Sequence, residues 1–169
     1  MPAPNDHTVL DFETNFETAA KTFLATATGL SATALFATLD QDTFIVPRIE
    51  VLFESGEAND PPIPKGATLS DLEYMQFTGT LSIRIVSDAS VDGTQSDHRT
   101  IRAKVRESML RNASNWTTDN GSGGRILPYY DVLYQRPSGT SYEIDGDLAV
   151  STVIYTIRFE IRDDAFPTS

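Results

Sequence analysis

Cysteine is absent from the 169 residues, and histidine occurs only twice, as His7 and His98. Without thiols there is no disulfide framework, no Cys-ligated zinc and no thiol nucleophile. Two histidines so far apart in sequence make a histidine-rich metal site a poor expectation. Basic residues are scarce too: 13 Lys and Arg stand against 24 Asp and Glu, a formal charge of −11. A module that grips nucleic acid needs clustered cations for the phosphates, so that class is disfavoured. No apolar run approaches the length of a membrane-spanning helix. The opening "MPAPNDHTVLDFE" has neither a basic n-region nor an apolar h-region, so no secretory signal is expected. The expectation is a protein made in a cytoplasm and soluble there, with no membrane partner.

What is present is ordinary globular composition. Hydrophobic residues make up 40% and charged residues 22%, which argues against disorder as the default. The length suits one domain spanning residues 1–169, able to bury roughly 70% of its unfolded surface.

In "TVLDFETNFETAAKTFLATATG", Phe12, Phe16, Ala19, Phe23 and Ala27 recur at helical spacing. This predicts a helix over residues 8–28, capped by Asn5, Asp6 or Thr8 and stopped by Gly29. "SATALFATLDQDTF" reads equally as a short strand or as a helical turn entering a loop. In "FIVPRIEVLFE", Ile45, Pro47, Ile49, Val51 and Phe53 share one parity, and Arg48 and Glu50 the other. That alternation predicts a half-buried strand, with Pro47 at its start or on an edge. "LEYMQFTGTLSIRIVS" predicts a long strand with Phe77, Leu81, Ile83 and Ile85 on one face and Gly79 at a bulge.

"SDHRTIRAKVRESMLRN" predicts a second helix capped by Ser96 or Asp97. Ile101, Val105 and Met109 form its narrow apolar stripe, and Arg99, Arg102, Lys104, Arg106 and Arg111 cover the rest. "LPYYDVLYQRP" reads as strand, and "SGTSYEIDGD" leads into the closing strand. There Val153, Tyr155, Ile157, Phe159 and Ile161 line one face. Helix, strand, strand, helix, strand, strand predicts an α+β fold. Its sheet is mainly antiparallel or mixed, of about four to five strands, with two helices packed on one face.

Two long loops interrupt this pattern, near residues 55–69 and 112–125. Pro61, Pro62 and Pro64 stiffen the first, and Glu57, Asp60 and Lys65 charge it. A loop of that length in a compact domain is usually functional or mobile. The second ends in "GSGG" before Arg125. It lacks the Gly-Lys-Ser/Thr ending and the following helix of a phosphate loop, so it reads as a plain flexible loop. The pairs in "DFE", "EIDGD" and "RDDAF" read as solvated carboxylates, and "EIDGD" lacks the rest of a calcium loop. His98 reads as a surface or capping residue, and His7 as exposed. Trp116 anchors its loop to the body or touches another chain. The basic face of "HRTIRAKVR" is expected to pair with acids of this chain or a neighbour, since the chain as a whole repels DNA. No nucleophile–base pairing, metal motif or cofactor fingerprint is visible, so neither enzyme activity nor a cofactor is expected.

The order of "FIVPRIEVLFE", "TGTLSIRIVS", "SDHRTIRAKVRESML" and "AVSTVIYTIRFEIRD" behind an N-terminal helix resembles the tail terminator (tail completion) proteins of long-tailed bacteriophages. The resemblance covers residues 8–165, rests on order and pattern, and brings no catalytic residues with it. It implies a structural virion protein assembled in the host cytoplasm. Such proteins form a ring, usually a hexamer, at the head-proximal end of the tail tube. The ring ends tube polymerisation and joins the tail to the head connector. Its partners are copies of itself, the tail tube protein and the connector or neck protein, and genome DNA passes through the lumen without specific binding. On this reading Glu57, Asp60, Pro61, Pro62, Lys65, Arg99, Arg102, Arg106 and Trp116 are candidate interface residues. The alternatives are a neck or head-completion protein or, in a different class, a small-molecule-binding domain or enzyme.

Overall fold

The computed structural model describes residues 6–30, 35–36, 46–55, 76–89, 94–110, 116, 124–162 and 165. The loop residues Glu57, Asp60, Pro61, Pro62 and Lys65 lie outside the described residues. So do the side chain of His7 and most of the second loop.

Helix α1 spans Asp6–Leu10 and α2 spans Phe12–Thr28. The predicted single helix is therefore broken at Asp11. Its backbone is non-helical, and its carboxylate accepts the Thr14 N–H at 3.2 Å. A short acidic side chain that takes up a free N–H of the first turn competes with helical continuation. Asp11 thus caps α2, in place of the earlier residues expected to do so. Gly29 stops the helix as predicted, at φ 73°, donating its N–H to the Ala25 carbonyl at 2.9 Å. No Cβ opposes that left-handed backbone.

Among the described residues five strands follow: β1 Leu35–Phe36, β2 Arg48–Ser55, β3 Gln76–Asp88, β4 Tyr130–Asp145 and β5 Leu148–Ile161. Helix α3, Thr94–Leu110, lies between β3 and β4 in sequence. The sheet order is β1-β2-β3-β5-β4. β1 runs parallel to β2, and every other pair is antiparallel, so the fold is α+β. The ambiguous segment after α2 holds the short parallel strand β1.

Cross-strand register shows how the core forms. Phe53 faces Leu81, Leu81 faces Tyr155, and Val51, Ile83 and Val153 make the next row. Directly paired residues share a sheet face, so these rows form one apolar surface. Phe16 of α2 lies on it, stacked on Phe53 at 4.3 Å and tilted against Phe159 at 4.7 Å. Each such side chain removed from water contributes about 1.5–3 kcal/mol. The closing strand β5 is hydrogen-bonded on both sides, to β3 and β4, which its five-residue apolar face requires.

Several expectations are corrected. Gly79 is not at a bulge: it pairs in regular register with Ser55 and Ile157. A Cβ there would lie 2.1 Å from Cζ of Phe53, so glycine makes room for that ring. β2 is not half-buried along its length, since Arg48 and Glu50 on its second face are 8% and 1% exposed. Glu50 accepts from Arg48 Nε at 2.8 Å and from Arg84 Nη1 at 2.9 Å. That charge is tolerable in a buried place because two guanidiniums flank it.

α3 begins at Thr94, so Ser96 and Asp97 stand inside it and not at the cap position before it. β4 starts later than expected, at Tyr130. It then runs on through Pro137 and Gly139 to Asp145, taking in most of the stretch expected to lead into the closing strand. Register shifts at Leu133 and Ser138 absorb the irregular residues without ending the strand.

Candidate functional site

Helix α3 lies on the same sheet face as α2, and its two sides differ. The predicted stripe of Ile101, Val105 and Met109 is buried. Stepping three and four residues along the opposite side gives Arg99, Arg102, Ala103, Arg106, Glu107 and Leu110. These line an open groove of about 520 Å³. Small-molecule sites of that size enclose most of their ligand, whereas this one is open, and its described lining comes from α3. Its shape suits a protruding protein element.

Among the described lining residues, three guanidiniums and one carboxylate carry charge. Arg102 is held in place, with Nη1 donating to Ser151 Oγ at 3.4 Å and its guanidinium 5.6 Å from the Tyr142 ring centre. Arg99 and Arg106 form no ion pair among the described residues. Burial pushes the Tyr155 hydroxyl above its ordinary pKa, and the nearby charge of Arg106 partly offsets that.

Beside the groove stands the β4–β5 hairpin. Asp145 pairs with Leu148, leaving a two-residue loop of Gly146 and Asp147, with Gly146 at φ 58°. Glu143, Asp145 and Asp147 are exposed, and Tyr142 and Ile144 are half exposed. The Asp147 carbonyl accepts the Ala89 N–H at 2.6 Å, which ties the tip to the end of β3.

His98 sits beneath this region and is 1% exposed, which corrects its surface or capping assignment. Its Nδ1 lies 2.7 Å from Ser87 Oγ and its Nε2 2.8 Å from Ser151 Oγ. A neutral imidazole donates from one nitrogen and accepts at the other, so two hydroxyls satisfy it. Burial first, and the charge of Arg102 second, lower its pKa below 6.5. Serine and histidine at this spacing can activate a nucleophile, but Ser151 is 0% exposed and Ser87 1%. Both hydroxyls are buried against the imidazole, and the cluster fastens α3 to the sheet.

The structure brings Arg99, Arg102 and Arg106 into one groove. It places Trp116 in the core instead, 1% exposed, donating Nε1–H to Gln135 Oε1 at 2.8 Å and packed edge-on to Phe16 and Phe23. Of the two roles open to Trp116, anchoring the loop to the body is the one seen. Arg125 next to the glycine run bonds Asp131 Oδ1 at 2.9 Å and the Tyr130 carbonyl at 3.3 Å. Sequence reasoning missed Leu110, Tyr142 and Ile144 as surface features, whereas Asp145 and Asp147 are solvated as expected. The Asp145-Gly146 dipeptide behind the alternation Tyr142, Glu143, Ile144 was the available hairpin signal. Among the described residues, no cluster of His, Asp or Glu is arranged to hold a metal ion. No helix there is long and apolar enough to cross a membrane. Neither a family model nor a curated protein matches this chain.

Proposed function

We propose that this chain is a structural subunit of a ring at the head-proximal end of a phage tail tube. There it ends tube growth and joins the tail to the head connector. The observation that carries the reading is the uneven placement of exposed apolar side chains. Of the six large ones among the described residues, Leu133, Tyr134, Tyr142 and Ile144 lie on β4 and Leu110 ends α3. Those on β4 follow one edge strand, Tyr134 on the face of Arg158 and Tyr142 and Ile144 on the face of Ser151 and Ala149, and exposed apolar side chains along an edge suit contact with another protein. The element order is the one that the resemblance implies. The −11 charge suits a lumen that lets DNA pass without holding it. On this reading the chain works in the virion, by contact and without chemistry of its own.

The test is electron microscopy of the purified protein, alone and with tail tube protein. Rings that bind tube ends and stop their growth support the proposal. Rings that bind connector protein but ignore tubes point to a neck protein. A stable monomer that binds neither overturns both.

A further inference from the structure

We infer that the hairpin tip of one copy of this chain docks into the arginine groove of the next. The inference rests on the ring reading in one respect: it requires that copies contact each other. Among its described lining residues the groove offers Arg99, Arg102 and Arg106 against the carboxylate of Glu107, with Ala103 and the 66%-exposed Leu110 as apolar surface beside them. Its occupant should therefore be narrow, acidic and partly apolar. The β4–β5 tip has that character, with Asp145 and Asp147 flanking Gly146 and the 52%-exposed Ile144 beside them.

Within one chain the two surfaces do not satisfy each other. None of Glu143, Asp145 and Asp147 pairs with a groove arginine. The tip is pinned by the Asp147 carbonyl on Ala89 and by Tyr142 against His98 and Arg102. In a second copy the same groups meet without that restraint. Because tip and groove are different surfaces, the contact is head-to-tail: each copy gives a tip and receives one. Repeated about an axis, such a contact closes into a ring. Opposite charges at its centre also fix register and speed encounter.

Charge exchange on the full-length protein tests this. The groove variant carries Arg99→Glu and Arg106→Glu, and the tip variant carries Asp145→Lys and Asp147→Lys. Mass by light scattering is measured for the parent, for each variant and for their equal mixture, at low and high salt. The parent should assemble, and less so in high salt. Each variant alone should assemble roughly tenfold or more weakly, with unchanged circular dichroism. The mixture should recover, since each variant supplies the surface that the other lacks. Where a reversal prevents folding, Arg106→Gln and Asp145→Asn carry the same test through weaker assembly.

A parent that stays monomeric overturns both this inference and the ring reading. Assembly that either variant leaves undiminished overturns the inference alone, as does a mixture of folded variants that does not recover. Duplex DNA bound by the parent and released by the groove variant would assign the groove to nucleic acid.

Discussion

The two edges of the sheet are finished in opposite ways. On one side, β1 covers the start of β2 at Ile49 and Glu50. Beyond β1, helix α2 takes over: Glu17 accepts the Phe53 N–H at 3.1 Å, and Glu13 accepts from Ser55 Oγ at 2.6 Å. At these positions β2 is covered within the chain. The other edge is β4, 16 residues long, exposed over most of its length and, among the described strands, paired with β5 alone. Pro137 and the irregularities at Leu133 and Ser138 spoil it as a template for a further strand. An edge blunted in this way can stay open without inviting uncontrolled pairing. What it then presents is side chains, and these are the exposed apolar and acidic groups of the hairpin. The first edge spends its residues on stability and the second keeps its residues for contact.

The largest contrast should come from aromatic truncation. Phe16 is 0% exposed and touches Phe53, Trp116, Tyr130 and Phe159 in the core under α2. Phe16→Ala should lower stability by roughly 3–5 kcal/mol in urea unfolding. Tyr134→Ala on β4, where the ring is 45% exposed, should cost under about 1 kcal/mol. Similar losses at the two sites would erase the division between a built edge and an open one.

Next come the charges. Glu50→Ala beside the closed edge leaves Arg48 and Arg84 without their shared carboxylate. A loss of about 3 kcal/mol is expected, the low end for a broken buried pair, since Arg84 is a third exposed and water reaches it. Asp131→Asn at the start of β4 removes a partner of Arg125, but Asp131 is 47% exposed. That change should cost about 1 kcal/mol or less. Unfolding midpoints of the two variants at pH 7 make the measurement.

Much of the closed side was legible in the sequence, and little of the open side was. Helical spacing from Phe12 to Ala27 and alternation along β2, β3 and β5 are local signals, and they placed the core. The β4 strand was cut short because Pro137, Ser138 and Gly139 carry the chemistry of a turn. Only its register with β5 shows that the strand absorbs them. Glu50 and His98 were read as exposed because their partners lie far away in sequence: Arg84 for one, Ser87 and Ser151 for the other. The arginine groove was half legible. Steps of three and four residues put Arg99, Arg102 and Arg106 on one side of α3, but the neighbouring hairpin depends on the fold.

A smaller effect separates two changes at one residue. Glu17 is 6% exposed, and burial, with Glu13 and Asp11 nearby, raises its pKa above 4.5 against the opposing bond from Phe53. Glu17→Ala leaves the Phe53 N–H buried without an acceptor and should cost about 1–3 kcal/mol. Glu17→Gln keeps an acceptor oxygen and sheds the buried charge, so stability at pH 7 should hold or rise. If Gln is as harmful as Ala, the carboxylate itself is what closes the edge.

The last contrast is one of pH, and the two sides should answer with opposite sign. Glu17 has a raised pKa, so the unfolded chain ionises first as pH rises above 4.5. Its contribution is complete below that value and is lost as pH climbs through the folded pKa. His98 has a lowered pKa, so the unfolded chain takes up a proton first as pH falls below 6.5. Its contribution is complete above 6.5 and is lost on acidification down to the folded pKa. A protonated imidazole donates from both nitrogens and cannot accept a hydroxyl proton, and Arg102 adds repulsion. Acid should therefore loosen α3 beneath the open hairpin while leaving the α2 clamp on β2 intact. The measurement is the urea midpoint from pH 7.5 down to 5, in the parent and in His98→Gln. The parent should lose stability below pH 6.5. The variant should be weaker at pH 7.5 and flatter across the window. Amide exchange should show which side opens, with faster exchange along α3 and unchanged protection in α2. Equal loosening of both helices would mean that the two edges respond as one unit, and the division drawn between them would fail.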